Sequence, residues 1–310
     1  MAKKNRIAIL LAAYNGESYI SEQLKSILEQ KEVDLTVFIS LDKSSDRSYE
    51  IITAFALKYP NIELLEYGEK FGSAGSNFFH LIKSVNVEEF EYVAFADQDD
   101  IWNASKLIDA VSMLNKTSAD GYSSNVLAFW EDGREKLVHK SSPQSEFDYL
   151  FESPGPGCTF VFTANLFCLI QDNIRVNYSK VHLLWLHDWF CYSFARFNGY
   201  KWVIDPRSSM KYRQHNQNEV GANAGISSFI NRAKAMFDGS GLAYAKSQSQ
   251  FIGQENTKPM KYLRQGRLGY LKLSFISYKL RRKTSHKLFC ALFFLAMFIK
   301  GPNKEEGNVF

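Results

Sequence analysis

The first 115 residues alternate short apolar, branched runs with amphipathic segments, and that alternation leaves few folds open. Residues 6–13 form such a run and end in Tyr14-Asn15-Gly16, the pattern of a buried strand closed by a turn. Residues 17–30 then put Ile20, Leu24, Ile27 and Leu28 on one helical face. Further strands are expected over 35–41, 62–65 and 92–96, and helices over 48–58, 77–85 and 104–115. The expected fold class is α/β, a mainly parallel sheet flanked by helices on both faces. The pattern loosens after about residue 120. Strands are expected over 127–130, 159–163, 201–204 and 210–212, a turn-rich loop at Pro154-Gly155-Pro156-Gly157, and a helix over 185–197.

Loops at the carboxyl ends of parallel strands are where open α/β sheets bind ligands. The densest such loop here is Asp97-Gln98-Asp99-Asp100, which follows the apolar run Tyr92-Val93-Ala94-Phe95-Ala96. Crowded carboxylates repel one another, so a cation is the simplest stabiliser. Oxygen ligands imply Mg²⁺ or Mn²⁺ rather than zinc, an ion commonly shared with substrate phosphates. The other reading is a solvated acidic loop in which Asp100 caps the next helix.

Composition excludes some classes. A formal charge of +4 on 310 residues is too small to imply nucleic acid, and no nucleic-acid partner is expected. Cys158, Cys168, Cys191 and Cys290 show no CxxC spacing and read as small apolar residues of a reducing compartment. Residues 1–6 are basic, but the apolar run after them is short and offers no cleavage-like site. A cytoplasmic location is expected.

The loops now line up: Ala12-Ala13-Tyr14-Asn15-Gly16, Asp42-Lys43-Ser44-Ser45-Asp46, Asn77, Ala96-Asp97-Gln98-Asp99-Asp100-Ile101-Trp102, Gly157-Cys158-Thr159, His187-Asp188-Trp189 and Tyr212-Arg213-Gln214-His215. Over roughly residues 5–220 this set resembles the family 2 glycosyltransferases, whose nucleotide-diphospho-sugar-binding fold is the GT-A type. Residues 97–106 resemble bacterial rhamnosyltransferases of surface polysaccharide synthesis. The resemblance implies that Asp97 faces the donor ribose, that Asp99 holds a metal bridging the diphosphate, and that Tyr14, Asn15, Asp42 and Asn77 border the nucleotide. Asp97 and His215 would complete the metal site, and Lys106 and Arg213 would contact phosphate. Asp188 is the expected catalytic base, with His187 the alternative. Where the family often has two adjacent acids, this chain has Leu41-Asp42, which leaves UDP- and dTDP-linked donors both open.

Bland roles stand beside these. Asp42 and Asp46 suit a turn and a helix cap, Asp188 a helix N-terminus, Trp189 a core as much as a sugar platform. Lys106 also suits a solvated helix face, and His215 the surface.

The catalytic domain is expected over 1–222, followed by a helical, basic region over 223–310. Residues 258–300 hold eleven Lys or Arg and no Asp or Glu, and the twelve residues 288–299 are apolar throughout. Twelve is below the ~20 that a spanning helix needs. The region suits the interface of an anionic membrane, or packing on the catalytic domain or a second subunit as a homo-oligomer. Together these readings predict an inverting, metal-dependent glycosyltransferase. It would move a sugar, rhamnose by resemblance, from a nucleoside diphosphate to a glycan, one that is lipid-linked at the inner face of the cell membrane. The rivals are a sugar nucleotidyltransferase, which would want a Gly-rich basic loop after the first strand, and an inactive carbohydrate-binding or scaffold protein.

Overall fold

The computed structural model describes residues 4–215 and 240–301. They form two compact units, one of residues 4–141 and 154–215, the other of residues 142–153 and 240–301. The boundary expected near Ala222 lies outside the described residues.

The first unit is built on a curled sheet. Its strands are β1 (Asn5–Ala13), β2 (Val33–Leu41), β3 (Ile62–Leu64), β4 (Tyr92–Asp97), β5 (Ile101–Trp102), β6 (Gly121–Trp130), β7 (Glu135–Val138), β8 (Val161–Thr163) and β9 (Trp202–Gln214). The order is β3-β2-β1-β4-β8-β6-β9-β5, with β7 on β6. Strands β3, β2, β1 and β4 run parallel, as do β6 and β9, while β8 lies antiparallel between β4 and β6. Helices α1 (Ile20–Leu28), α2 (Ser48–Lys58), α3 (Ala74–Ser84), α4 (Lys106–Thr117), α5 (Ala164–Val176) and α6 (His187–Phe197) connect them.

Strand β1 pairs in parallel with β2 on one side and β4 on the other, so the chain direction of the connections reverses there. The carboxyl ends of β1 and β4 open side by side, with Ala12 opposite Asp97. The branched residues of β1 sit in the sheet because both of its faces are covered. Ile7, Ile9 and Leu11 pack with Ile20, Leu24 and Ile27 of α1, all fully buried, each worth about 1.5–3 kcal/mol. A second cluster is aromatic, joining Phe78, Phe95, Phe160, Phe162, Phe167 and Trp202 in tilted and edge-on contacts. Many of the chain's 25 phenylalanines therefore serve the core.

Three elements were not anticipated: β5, β7 and α5. Strand β6 begins at Gly121, well before 127, and the two short strands expected near its partner are one continuous β9.

In the second unit, α7 (Ser240–Ile252), α8 (Lys258–Leu263), α9 (Gly266–Phe275) and α10 (Thr284–Lys300) are joined by residues 142–153. This segment supplies the acids that 258–300 lacks. Arg282 is buried against Asp148 at 3.1 Å and its backbone N–H donates to Glu152 at 2.6 Å. Lys279 meets Glu146 at 2.6 Å, and Arg281 lies 3.8 Å from Glu152. Among the described residues no helix is long and apolar enough to cross a membrane.

Candidate active site at the β1–β4 crevice

The crevice is held by Gln98. Its Oε1 accepts from the Tyr14 N–H and its Nε2 donates to the Tyr14 carbonyl, both at 2.8 Å. A Cβ on Gly16 would stand 2.2 Å from Gln98 Oε1, so only glycine leaves room for this clasp. The β1 loop is tied equally firmly to the β2 loop. Asn15 donates its N–H to Ser44 Oγ at 3.0 Å, and Gly16 donates to Ser48 Oγ at 2.7 Å. Asp46 accepts from the N–H groups of Glu17 and Ser48 and from the Ser48 hydroxyl. Those bonds hold its carboxyl below the usual range against partial burial, the largest influence. Asp46 thus closes a turn one residue before the N-cap of α2, Arg47, which has no side-chain capping bond of its own.

Asp42 is buried and accepts three backbone N–H groups, from Lys43, Phe71 and Gly72, at 2.7–2.9 Å. It folds residues 71–72 over the end of β2. Asn77, in the first turn of α3, donates Nδ2 to the carbonyls of Ala13 and Ser40. The Tyr14 ring, by contrast, is 55% exposed and open to a ligand.

Beyond the clasp, the acid cluster meets the end of β9. Asp99 Oδ2 lies 2.6 Å from His215 Nε2, and His215 stacks on Tyr19. Arg213 donates Nε to the Asp99 carbonyl at 2.8 Å and Nη2 to Glu22 at 2.5 Å, and its guanidinium sits over the rings of Tyr19 and Phe129. Arg213 thereby fastens β9 to the cluster. An open cleft of about 310 Å³ begins at His215 and is walled by Trp130, Glu131, Asp132 and Gln214.

Beneath the cluster Asp100, Cys158 and Lys106 are buried together, which the sequence did not foretell. Asp100 is fully buried and accepts from the Arg213 N–H at 3.2 Å. Burial pushes its carboxyl well above the usual range, and Asp99 and Asp97 add to this. Ligand atoms of Asp97, Asp100 and Cys158 lie within 4.8 Å of one another. Burial likewise raises the Cys158 thiol. Lys106 is not on the solvated helix face that was one expectation. It is fully buried, with its ammonium enclosed 3.8 Å over the Trp102 ring and no hydrogen-bond partner. Burial lowers it to about 8.

Asp188 opens α6. Its Oδ1 accepts from the Trp189 N–H at 2.5 Å, and it is partly exposed. Gly157 places it: a Cβ there would stand 2.5 Å from His187 Nε2 and 3.3 Å from Asp188 Cβ. Cys158, the next residue, reaches Asp97 and Asp100, so the 157–158 turn links Asp188 to the acid cluster. His187 is unsuited to the alternative role of base. It is buried, stacked 3.8 Å from Phe78, and neither ring nitrogen has a partner. Burial lowers it to about 3. Trp189 is 6% exposed and is a core residue rather than a sugar platform.

The carboxylates of Asp97 and Asp99 are hard donors that fit Mg²⁺ or Mn²⁺, and the imidazole of His215, a borderline donor, suits Mn²⁺ better than Mg²⁺. Cys158 does not fit, because a thiol held protonated by burial is a poor partner for either ion.

The comparisons agree with this architecture. Residues 8–174 match the family model for glycosyl transferase family 2. The chain is 41% identical to the dTDP-rhamnosyl transferase RfbG of Shigella flexneri, over 91% of this chain and 98% of that one. Among solved structures it is similar to Staphylococcus aureus TarS 1–349 in complex with UDP-GlcNAc, with a TM-score of 0.52, 14% identity, and coverage of 95% and 92%. It is also similar to the mannosyltransferase PcManGT of Pyrobaculum calidifontis in complex with GDP-Man and Mn²⁺, with a TM-score of 0.50, 15% identity, and coverage of 96% and 87%. The two structures show a shared GT-A fold. With the family model spanning more than half of its length, the chain belongs to glycosyl transferase family 2 and is a glycosyltransferase.

Proposed function

We propose that the protein transfers rhamnose from dTDP-rhamnose to a hydroxyl of a growing, lipid-linked surface glycan, with inversion at the anomeric carbon. The observation that carries the reading is the Asp99–His215 pair at the β1–β4 crevice, in a chain 41% identical to a dTDP-rhamnosyl transferase. Tyr14, Asn15, Asp42 and Asn77 border the nucleotide in this reading, with the exposed Tyr14 ring beside the base. Asp97, Asp99 and His215 would hold Mn²⁺ or Mg²⁺, which when bound neutralises charge on the departing nucleoside diphosphate. The bonds of Arg213 to the Asp99 carbonyl and Glu22 support orientation of the cluster rather than direct phosphate contact. We assign catalysis to residues 1–222, and to 223–310 a peripheral place on the cytoplasmic face of the membrane.

Asp188 takes the acceptor proton as the hydroxyl attacks the anomeric carbon. Its partial exposure at the start of α6 supports this role, and enclosure of His187 removes the neighbouring competitor. Asp188→Asn keeps the shape and removes the base, so transfer should fall roughly 10²-fold or more while donor binding persists. Product NMR from a donor of known configuration reads the stereochemistry. Retention of configuration, or full activity of Asp188→Asn, would overturn the mechanism.

A further inference from the structure

The last helix presents two unlike faces. Cys290, Phe293, Phe294 and Met297 are buried, at 5% exposure or less. Leu288, Leu292, Leu295 and Ile299 are exposed, at 64%, 56%, 38% and 68%. Their spacing of four, three and four residues makes them one unbroken stripe along α10. Helix α9 lies antiparallel beside it. Arg267 donates to the Phe298 and Ile299 carbonyls, and Ser274 to the Ala291 carbonyl, all at 2.9 Å. It carries its own exposed stripe, Leu268, Lys272 and Phe275, with Leu268 and Phe275 at 65% and 74% exposure.

Exposed apolar stripes of this kind on neighbouring helices mark an interaction site. Charge selects the partner. Lys279, Arg281 and Arg282 are matched by Glu146, Asp148 and Glu152. The other eight of the eleven basic residues in 258–300 make no ion pair with a carboxylate among the described residues. They include Lys272 within the α9 stripe and Lys287 and Lys300 beside the α10 stripe.

We propose that the paired stripes of α9 and α10 are the docking surface for an anionic lipid bilayer. Leu288, Leu292, Leu295, Ile299, Leu268 and Phe275 enter the acyl boundary, and Lys272, Lys287 and Lys300 lie at headgroup level. At 17 residues α10 is about 25 Å long, so it lies along the surface rather than across it. The inference deepens the membrane placement in the proposed function and rests on it. The chemistry of transfer is separate from it and is measured separately.

The test is flotation of the full chain with phosphatidylcholine vesicles and with equimolar phosphatidylcholine–phosphatidylglycerol vesicles, beside hydrolysis or transfer of a soluble donor. The wild type should float with the anionic vesicles alone and detach as salt rises. Leu292→Glu with Leu295→Glu should lower partitioning roughly 10²-fold, and Lys272→Gln with Lys287→Gln roughly tenfold. Donor turnover should be unchanged in both. Phe275→Trp, a conservative change at an exposed site, should be quenched by brominated lipid only in anionic vesicles. Flotation unaffected by either pair, equal flotation with neutral vesicles, or an unquenched Trp overturns the proposal. A dimer in solution that the leucine variants split, without vesicle binding by the wild type, assigns the stripe to a second copy and overturns it too. Loss of donor turnover in the wild type with vesicle binding intact counts against the transferase reading and leaves the surface standing.

Discussion

His187 is the residue whose pH behaviour can be worked out most fully. It is enclosed between Phe78 and Phe95, with both ring nitrogens unpartnered. The folded protein holds it neutral down to about 3, whereas an unfolded chain protonates it near its ordinary 6.5. Between those values the unfolded state binds the extra proton. His187 therefore contributes stability that is fully present above pH 6.5 and is lost as pH falls toward 3. The full window amounts to about 5 kcal/mol at 1.36 kcal/mol per unit. Between about pH 7.5 and about pH 5 the loss should be about 2 kcal/mol. Urea unfolding of the wild type and of His187→Leu at those two pH values isolates this contribution. Leucine is apolar, does not titrate, and reaches less far toward Gly157. Its absolute stability will differ through lost ring stacking, but its pH slope should be shallower than that of the wild type by about 2 kcal/mol across the interval. Equal slopes would mean that His187 is protonated within the fold, and would reopen its candidacy as a base.

Two other changes probe the crevice. Asp99→Asn removes a charge facing His215, and should lower transfer by roughly 10²-fold or more while weakening donor binding; chelation should do the same to the wild type, and Mn²⁺ or Mg²⁺ should restore it. Full, untreated wild-type activity of Asp99→Asn in the presence of chelator would exclude a metal held there. Gly16→Ala drives a methyl into Gln98 and should break the two 2.8 Å bonds to Tyr14, costing about 1–3 kcal/mol by thermal or urea unfolding; an unchanged melting temperature would show that Gln98 has another way to hold the loop.

The parallel half of the sheet was legible because β1, β2 and β4 are buried on both faces and so read as continuous apolar runs. The acid cluster was legible because Asp97, Asp99 and Asp100 sit where such a run stops. Helix α5 had a readable signal: Thr163 accepts from the Leu166 N–H, and Leu166, Phe167, Ile170 and Ile174 keep helical spacing. Strands β5 and β7 are two and four residues long, too short to show a period. Lys106 and His187 look like polar residues in any window, and only packing of distant segments encloses them. The partners of Arg282 lie 129–134 residues away, so its buried pairing had no local trace.

That last separation has a consequence for how the chain is made. Residues 142–153 emerge from the ribosome long before the helices they belong with. At about 5–20 residues per second, Asp148 waits on the order of 10 s for Arg282. Meanwhile β8 and β9 are synthesised and can complete the sheet on either side of β6. Until α9 and α10 arrive, Tyr149 and Leu150, buried in the finished fold, stay in water as a tethered, apolar excursion. The nascent chain thus has an interval in which its first unit can be whole while a strip of its second unit hangs unmatched, and chaperone engagement during synthesis should concentrate there.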